Sequence, residues 1–180
     1  MTKKTKNEVE ETAIPQESFN GDSTAEPQPF SFDADFDVEG EYKEPALIPA
    51  GRYEGYVTNV SFDPEAFALV WQVTLRADDD ILMSDNETPV NGNILNYKNW
   101  FPKDGDETER TRTGRMTKRQ AKINMLGDFQ KKMRVNMNTP QAILNAVENA
   151  EWVGLEVIAL VEVRSWEGRQ FNQIQELSAM

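Results

Sequence analysis

The sequence contains neither cysteine nor histidine among its 180 residues. Without cysteine, disulfide bonds, thiolate nucleophiles and cysteine-ligated metal sites are excluded, which suits a reducing compartment such as the cytoplasm. Without histidine, the commonest general base and the commonest transition-metal ligand are missing, so most hydrolytic triads and zinc sites are excluded as well. We therefore expect a binding protein and not an enzyme, with no cofactor and no metal ion.

Long apolar runs and the common catalytic motifs are also missing. No stretch approaches the roughly 18 to 20 apolar residues of a membrane helix, and no apolar signal-peptide core follows residues 1–4. There is no Gly-rich phosphate loop, EF-hand spacing or nucleophile elbow. One enzymatic alternative stays open, a magnesium-dependent nuclease that uses clustered loop acids. Its candidate residues are Asp78, Asp79, Asp80 and Asp85.

The net charge of -12 is distributed unevenly along the chain. Residues 1–50 hold 12 acidic and 4 basic side chains, whereas residues 110–134 hold nine basic side chains and a single acid, Asp128. Within residues 110–122 there is no acid to compensate the bases, so like charges repel unless an anion relieves them. Such a segment is typical of a surface that binds a polyanion, with a solvated helix face as the alternative.

The acidic N-terminal part differs from the remainder in composition. Residues 1–46 mix Glu, Asp, Pro, Ser, Thr and Gln with few branched apolar side chains, so they cannot bury enough surface to offset the entropy of ordering. We predict a disordered acidic leader over residues 1–46 and a folded domain over residues 47–180. Within the leader, phenylalanines alternate with aspartates, either as a docking motif or nucleic-acid mimic or as incidental tail residues. The phenylalanines are Phe30, Phe32 and Phe36.

The folded part reads as mainly β with a helical insert. Period-two alternation of apolar and polar side chains, bounded by turn residues, predicts five strands over residues 52–62, 67–76, 90–101, 152–166 and 169–177. Thr117 and Thr139 stand at N-cap positions, which predicts helices over residues 117–134 and 139–150, between the third and fourth strands. This is the order of a five-stranded OB-fold-like barrel with its helix between strands 3 and 4.

Three segments carry a resemblance to a known family. They are Pro-Ala-Gly-Arg-Tyr-Glu-Gly-Tyr-Val at residues 49–57, the alternating strand around Trp71, and the ending at residues 161–174, with its Gly-Arg-Gln-Phe-Asn-Gln-Ile. Over residues 49–177 the chain resembles phage-encoded single-stranded DNA-binding proteins of OB-fold type. The resemblance implies a role in phage DNA replication or recombination, in the cytoplasm of an infected bacterium. The chain departs from related binders that carry a C-terminal acidic tail, because its acidic extension is N-terminal.

Binding of single strands without sequence preference needs cations along the phosphates and flat side chains on which bases stack, at roughly 1 to 3 kcal/mol per base. Both kinds of residue are present, and core packing is the alternative role for each ring. The candidate stacking residues are Tyr56, Tyr97, Trp100, Phe101, Trp166 and Phe171. The candidate phosphate-binding residues are Lys98, Arg110, Arg112, Arg115, Lys118, Arg119, Lys122, Arg164 and Arg169.

The expected partners follow from this interpretation. Single-stranded DNA is the first, followed by replication or recombination proteins and by a second copy of the chain, and no membrane partner is expected. A different class of function stays open, a protein-interaction or virion accessory module without a nucleic-acid role. In such a module the basic segment would meet an acidic protein partner.

Overall fold

The computed structural model describes residues 38–180. Most of the predicted leader, including its alternating phenylalanines, lies outside the described residues. The chain divides into two compact units, Met1–Lys43 and Glu44–Met180. The described part of the first unit contains one short helix, α1 (Val38–Glu41). The second unit carries the strands and the two longer helices, so the site residues named above all belong to it.

The second unit is mainly β, as predicted, with two helices between the third and fourth strands. Turns occupy residues 90–92 and 151–154, where the sequence predicted the beginnings of strands. Gly92 and Gly154 adopt φ values of 82° and 86° there, which are incompatible with strand geometry. The elements are β1 (Gly51–Asp63), β2 (Ala68–Arg76), β3 (Ile94–Trp100), α2 (Lys118–Met133), α3 (Pro140–Glu148), β4 (Glu156–Trp166) and β5 (Arg169–Ala179).

The five strands form one antiparallel sheet in the order β3-β2-β1-β4-β5. The predicted hairpin between β4 and β5 is confirmed, and its two turn residues, Glu167 and Gly168, have φ values of 49° and 81°. Positive φ at both positions matches the right-handed twist of the flanking strands. The edge strands β3 and β5 approach each other, but the ladder is not closed between them. The sheet is therefore curved toward closure without forming a complete barrel.

One face of the sheet packs into the core. The predicted alternation on β2 is confirmed, because Trp71 and its apolar neighbours two positions away are buried while the intervening side chains are less so. The Trp71 ring stacks on Trp152 at 5.0 Å between centroids and packs against Phe129 of α2 at 5.1 Å. We call this the inner face and the opposite side the outer face. Several side chains on the outer face, such as Arg76 and Ile94, are exposed.

Both helices begin where the sequence predicted. The Thr117 hydroxyl accepts a hydrogen bond from the backbone N–H of Gln120 at 3.2 Å, and the Thr139 hydroxyl accepts one from Ala142 at 3.2 Å. These bonds satisfy backbone donors that the first helical turn leaves without partners. Helix α2 buries Phe129 against the sheet, which fixes its orientation. No helix in the described part of the chain is both long and apolar enough to cross a membrane.

Candidate nucleic-acid interface

The hairpin of β4 and β5 gathers four of the predicted site residues on one face. Arg164 lies opposite Phe171, and Trp166 lies opposite Arg169, in the ladder between the strands. Residues two apart on a strand share a face, and so do directly opposed residues, so all four side chains project from the same side. Trp166 is 67% exposed and Phe171 is 42% exposed. Cations and rings therefore alternate along one accessible surface, which we call the hairpin face.

The hairpin projects beyond the rest of the sheet. Pairing of β4 with β1 ends at Val161, opposite Gly51, whereas pairing with β5 continues to Trp166. Every residue from 163 to 171 is exposed. A two-stranded ribbon of this kind has little core to pack against, so core packing does not explain why it carries aromatic side chains.

The hairpin face is only partly neutralised by acids. The Arg164 guanidinium contacts the Glu162 carboxylate at 3.2 Å, with both side chains substantially exposed. An exposed pair of this kind contributes about 0 to 1 kcal/mol, so a phosphate can take the place of the carboxylate. Within residues 38–180, Arg169 forms no ion pair and no side-chain hydrogen bond. Its guanidinium is thus available to an external anion.

Arg52 is a neighbouring cation that the sequence analysis missed. It lies on β1 opposite Leu160, whose side of β4 also carries the hairpin-face residues. The alternation along β1, with Tyr53, Gly55 and Val57 buried and the residues between them more exposed, places Arg52 on the outer face. That alternation was visible in the sequence, and it would have added Arg52 to the candidate set.

Trp100 and Lys98 form a second group on the outer face, at the end of β3. Trp100 is 42% exposed and lies opposite Ala68, next to the turn between β1 and β2. The Lys98 ammonium donates to the Asp63 carboxylate at 2.9 Å. The pKa of Asp63 is lowered mainly by the hydrogen bond that its carboxylate accepts from the backbone N–H of Ala66. The hydrogen bond from Lys98 is the second cause. Lys98 is therefore engaged within the chain, whereas the Trp100 ring remains accessible.

Tyr56 lies on the outer face of β1, with one side of its ring covered. The Arg76 guanidinium sits 4.9 Å from the ring centroid and also contacts the Glu156 carboxylate at 2.9 Å. A guanidinium over a tyrosine ring is a cation–π contact. Tyr56 can accept a base only on its free side or by displacing Arg76, so its candidate role is narrower than the sequence indicated.

Tyr97 and Phe101 point to the inner side, away from the other candidate rings. Residues 95, 97, 99 and 101 alternate with the outer-face residues of β3. The Tyr97 ring stacks on Phe129 at 5.3 Å, and burial raises the pKa of its hydroxyl. Phe101 packs with Phe62 at 6.1 Å and with Phe67 at 6.5 Å. The structure therefore gives Tyr97 a packing partner in the core and Phe101 two partly exposed ones, and it does not bring either ring together with Trp100.

Acidic side chains neutralise more of the basic segment than the sequence indicated. No acid lies within residues 110–122 of the sequence, but the loop over residues 103–109 folds back against α2 and brings acidic side chains to these bases. Lys122 donates to the buried Asp106 carboxylate at 2.7 Å, and this bond, followed by the one from the backbone of Lys103, lowers the pKa of Asp106. Lys118 donates to Glu109, which raises the pKa of the lysine. Two of the predicted phosphate ligands thus hold the loop to the helix.

The other members of the basic segment are differently engaged. Arg110 donates to the backbone carbonyl of Gly114 at 3.1 Å, within its own loop. Arg112, Arg115 and Arg119 are exposed and form no ion pair with any residue of the described part of the chain. Among residues 110–122, these three arginines are therefore exposed without an acidic partner in the described part of the chain. Of the bases further along, Lys131 is exposed and unpaired there as well, whereas Lys132 contacts Glu176 and Arg134 donates to the backbone carbonyl of Met180.

The exposed candidate rings, those of Trp166, Phe171 and Trp100, fall into two groups near opposite ends of β1. The hairpin face begins beyond Gly51, at the start of the strand. Trp100 lies across Ala68 from Asp63, at the end of the strand. Arg119 lines a concavity together with Phe67, in which Lys103 and the acids Asp104 and Glu107 also take part. A polynucleotide that touches both groups must run along the sheet.

The acidic residues proposed for a nuclease do not assemble into a metal site. No group of three or more acidic side chains within residues 38–180 is arranged to hold a metal ion. Asp85 accepts hydrogen bonds from Thr88 and from the backbone of Glu87, and the Thr88 hydroxyl is the main cause of its lowered pKa. Asp85 therefore stabilises a turn.

No protein-family model matches the sequence, and no curated protein matches it. Function is therefore inferred from the residues themselves. The hairpin face offers exposed rings beside guanidinium groups, a combination that can stack bases and contact phosphates at the same time. The end of β3 offers one exposed ring, that of Trp100.

Proposed function

We propose that this chain binds single-stranded DNA, largely independently of sequence, as expected of a protein in phage DNA replication or recombination. The observation that carries the proposal is the hairpin face, on which Arg164, Trp166, Arg169 and Phe171 share one exposed side. Duplex DNA keeps its bases stacked inside, whereas a single strand can place them on exposed rings. The surface therefore favours an unpaired strand.

Each kind of side chain has a distinct part in this binding. Trp166 and Phe171 stack on bases, at roughly 1 to 3 kcal/mol per base and with little sequence preference, because every base has a π-face. Arg164 and Arg169 contact the phosphates between the stacked bases, and a guanidinium can do so with two hydrogen bonds. Affinity then depends on salt concentration, while sequence specificity stays low.

The second group extends the interface. Trp100 supplies a further stacking surface, and the exposed side chains of Arg112, Arg115 and Arg119 supply further positive charge. We infer that a longer oligonucleotide gains affinity by reaching this group from the hairpin face. The expected site falls in the range of about 4 to 16 nucleotides that one domain of this class covers.

The strand arrangement supports a finer proposal about fold class. The order β3-β2-β1-β4-β5, the approach of the two edge strands and the helices between β3 and β4 together favour an OB-fold barrel. Single-strand binding on the outer face of such a barrel agrees with the position of the hairpin face. The fold alone does not establish the function, which depends on the exposed rings and cations.

A salt titration with oligo(dT) tests the proposal. A duplex of the same length serves as the control, because it carries the phosphates without accessible base faces. We expect tight binding of the single strand, weak binding of the duplex, and a slope of log K against log salt near -0.7 for each phosphate engaged. Equal affinity for the two DNAs, or binding that is insensitive to salt, would exclude the proposed mode.

A protein-interaction module is the second candidate. The observation that favours it is an apolar groove beside α2, a type of surface that often binds proteins. The same titration separates the two functions, because an interaction module without a nucleic-acid role would leave oligo(dT) unbound at all salt concentrations.

A further inference from the structure

Asn172 attaches the hairpin of β4 and β5 to the segment that precedes β1. The backbone N–H of Ile48 donates to Asn172 Oδ1 at 2.8 Å, and Asn172 Nδ2 donates to the carbonyl of Ile48 at 2.7 Å. An asparagine side chain offers an acceptor and two donors on a short stem, so it pairs with this backbone as a neighbouring strand would. We call this pair of hydrogen bonds the clamp, and residues 47–49 the strap.

The strap is fixed to the folded domain on both sides of Ile48. Leu47 exchanges two hydrogen bonds with Ser84, each 2.8 Å long, and the Tyr53 hydroxyl donates to the carbonyl of Pro49 at 2.8 Å. The Ile48 side chain is 1% exposed and belongs to the hydrophobic core. The clamp therefore joins the hairpin to a well-held part of the domain.

The clamp lies where the hairpin has lost its pairing with the rest of the sheet. Pairing of β4 with β1 ends at Val161, and the register of β5 shifts at Gln175, which forms a bulge. A bulge bends a strand and increases its twist, so the ladder alone does not fix the direction of the projecting hairpin. Within the part of the chain that the structure describes, Asn172 is the only one of residues 163–172 with a hydrogen bond to a residue outside β4 and β5.

Asn172 points away from the surface on which a DNA strand would lie. Neighbouring residues of a strand project to opposite sides, so Asn172 shares its side of β5 with the buried Ile174 and not with Phe171. What the clamp determines is the angle between the hairpin face and the rest of the outer face, where Arg52 and Trp100 lie. A residue of this kind positions the interface without contacting the ligand.

We propose that Asn172 is a positioning residue of the DNA interface, which aligns the hairpin face with the second group so that one strand can reach both. The proposal rests on the proposed function, since it concerns the same site. The β4–β5 ladder keeps the residues of the hairpin face together whether or not the clamp is closed. A ligand gains from a second contact region only when the geometry allows both to be engaged at once, so the clamp matters for long strands and not for short ones.

The test uses the full chain and oligo(dT) of about 4 and about 16 nucleotides, the limits of the range for one domain of this class. Asn172→Ala removes both hydrogen bonds, whereas Asn172→Asp keeps the shape and the acceptor but loses the donor. Gln170→Ala is the matched control, because Gln170 is an exposed amide on the same side of β5 and forms no side-chain hydrogen bond among residues 38–180. Binding is followed by anisotropy for the longer oligomer and by the Trp166 indole NMR signal for the shorter one.

We expect Asn172→Ala to weaken binding of the longer oligomer by about 3- to 10-fold and that of the shorter one by less than about twofold, because only a fraction of the molecules then hold the hairpin in the binding orientation. One hydrogen bond shifts an equilibrium by about 2- to 12-fold, so the loss of two is sufficient. Asn172→Asp should lose at least as much, because its carboxylate faces the carbonyl of Ile48. Gln170→Ala should bind both oligomers as the unmodified chain does.

Hydrogen exchange of the Ile48 amide is a second measurement, which applies to the unmodified chain even if Asn172→Ala fails to fold. This amide donates to Asn172, so its exchange rate reports opening of the clamp. A ligand that binds better when the clamp is closed also favours its closure. Saturation with the longer oligomer should slow this exchange by about threefold or more, by the same reciprocity, and the shorter oligomer should leave it unchanged.

An equal loss of affinity for both oligomers in Asn172→Ala would overturn the proposal, because damage to the fold or to the hairpin would explain it. So would unchanged binding of the longer oligomer by Asn172→Ala or Asn172→Asp, or exchange at Ile48 that the longer oligomer does not slow. In each of these cases the unmodified chain still binds DNA and the proposed function stands. An unmodified chain that binds neither oligomer would refute the proposed function itself, and the role of Asn172 with it.

Discussion

Replacement of Trp166 by alanine is the sharpest perturbation of the hairpin face. The side chain is 67% exposed, and the residues around it from 163 to 171 are exposed too. Truncation therefore removes a stacking surface and almost no core contact. We expect the free energy of unfolding to change by no more than about 0.5 kcal/mol, as for other surface substitutions.

The expected loss of DNA affinity is much larger than this change in stability. One stacked base contributes roughly 1 to 3 kcal/mol, which corresponds to about 5-fold to 150-fold in the dissociation constant. The assay is anisotropy of a labelled oligo(dT) at fixed salt, with urea unfolding measured in parallel. Leu144→Ala is the matched control, because Leu144 is 50% exposed and lies on α3, whereas the hairpin face lies on β4 and β5.

A Trp166→Ala variant that binds oligo(dT) within twofold of the unmodified chain would refute the assignment of the hairpin face. So would an equal loss of affinity in Leu144→Ala, because a general change in the protein would then explain both results.

Three further predictions concern charge, packing and pH. Replacement of Arg169 by glutamine should make the log K against log salt slope less negative by about 0.7, the value for one phosphate contact to a single strand; an unchanged slope would remove Arg169 from the site. Gly55→Ala should destabilise the fold by about 1 to 3 kcal/mol in urea unfolding, because the new Cβ would lie 2.5 Å from a backbone oxygen of β2. Gly127→Ala, where space is open, should stabilise the fold by roughly 0.5 to 1 kcal/mol. A variant Gly55→Ala that is more stable than Gly127→Ala would contradict this account. The pKa of Asp106 is lowered below 3.8, chiefly by its lysine partner, so its contribution to stability is present at neutral pH and lost as pH falls below about 3.8. Asp106→Asn should flatten that acid limb of the stability curve, and an unaltered limb would show that the ion pair contributes nothing.

Local patterns in the sequence were sufficient to predict the elements of the fold. Alternation around Trp71 predicted the buried strand, and the threonines before α2 and α3 predicted both helix starts, because these signals act within a few residues. The predicted starts of β3 and β4, near Gly92 and Gly154, were wrong, because neighbouring residues do not fix the φ angle of a glycine. The closure of the sheet depends on contacts between β3 and β5, which local patterns do not report.

The candidate site was predictable where side-chain alternation decides exposure. Trp166 and Phe171 lie near a two-residue turn. The four residues of the hairpin face occupy alternate positions of their two strands, so their side chains lie on the same side. The same rule applied to β3 would have separated Tyr97 from Trp100, which lie on opposite faces. The ion pairs of Lys118 and Lys122 could not be foreseen, because their acids approach through the folding of a loop.

The most direct test of DNA binding at the hairpin face uses the four tryptophans as separate reporters. Their indole N–H signals are followed by NMR while oligo(dT) is added. Trp166 and Trp100 are exposed, whereas Trp71 and Trp152 stack on each other in the core. We predict that the signal of Trp166 shifts most, that of Trp100 shifts with longer oligonucleotides, and those of Trp71 and Trp152 stay in place. A saturating titration that leaves the Trp166 signal unmoved would contradict single-stranded DNA binding at this surface.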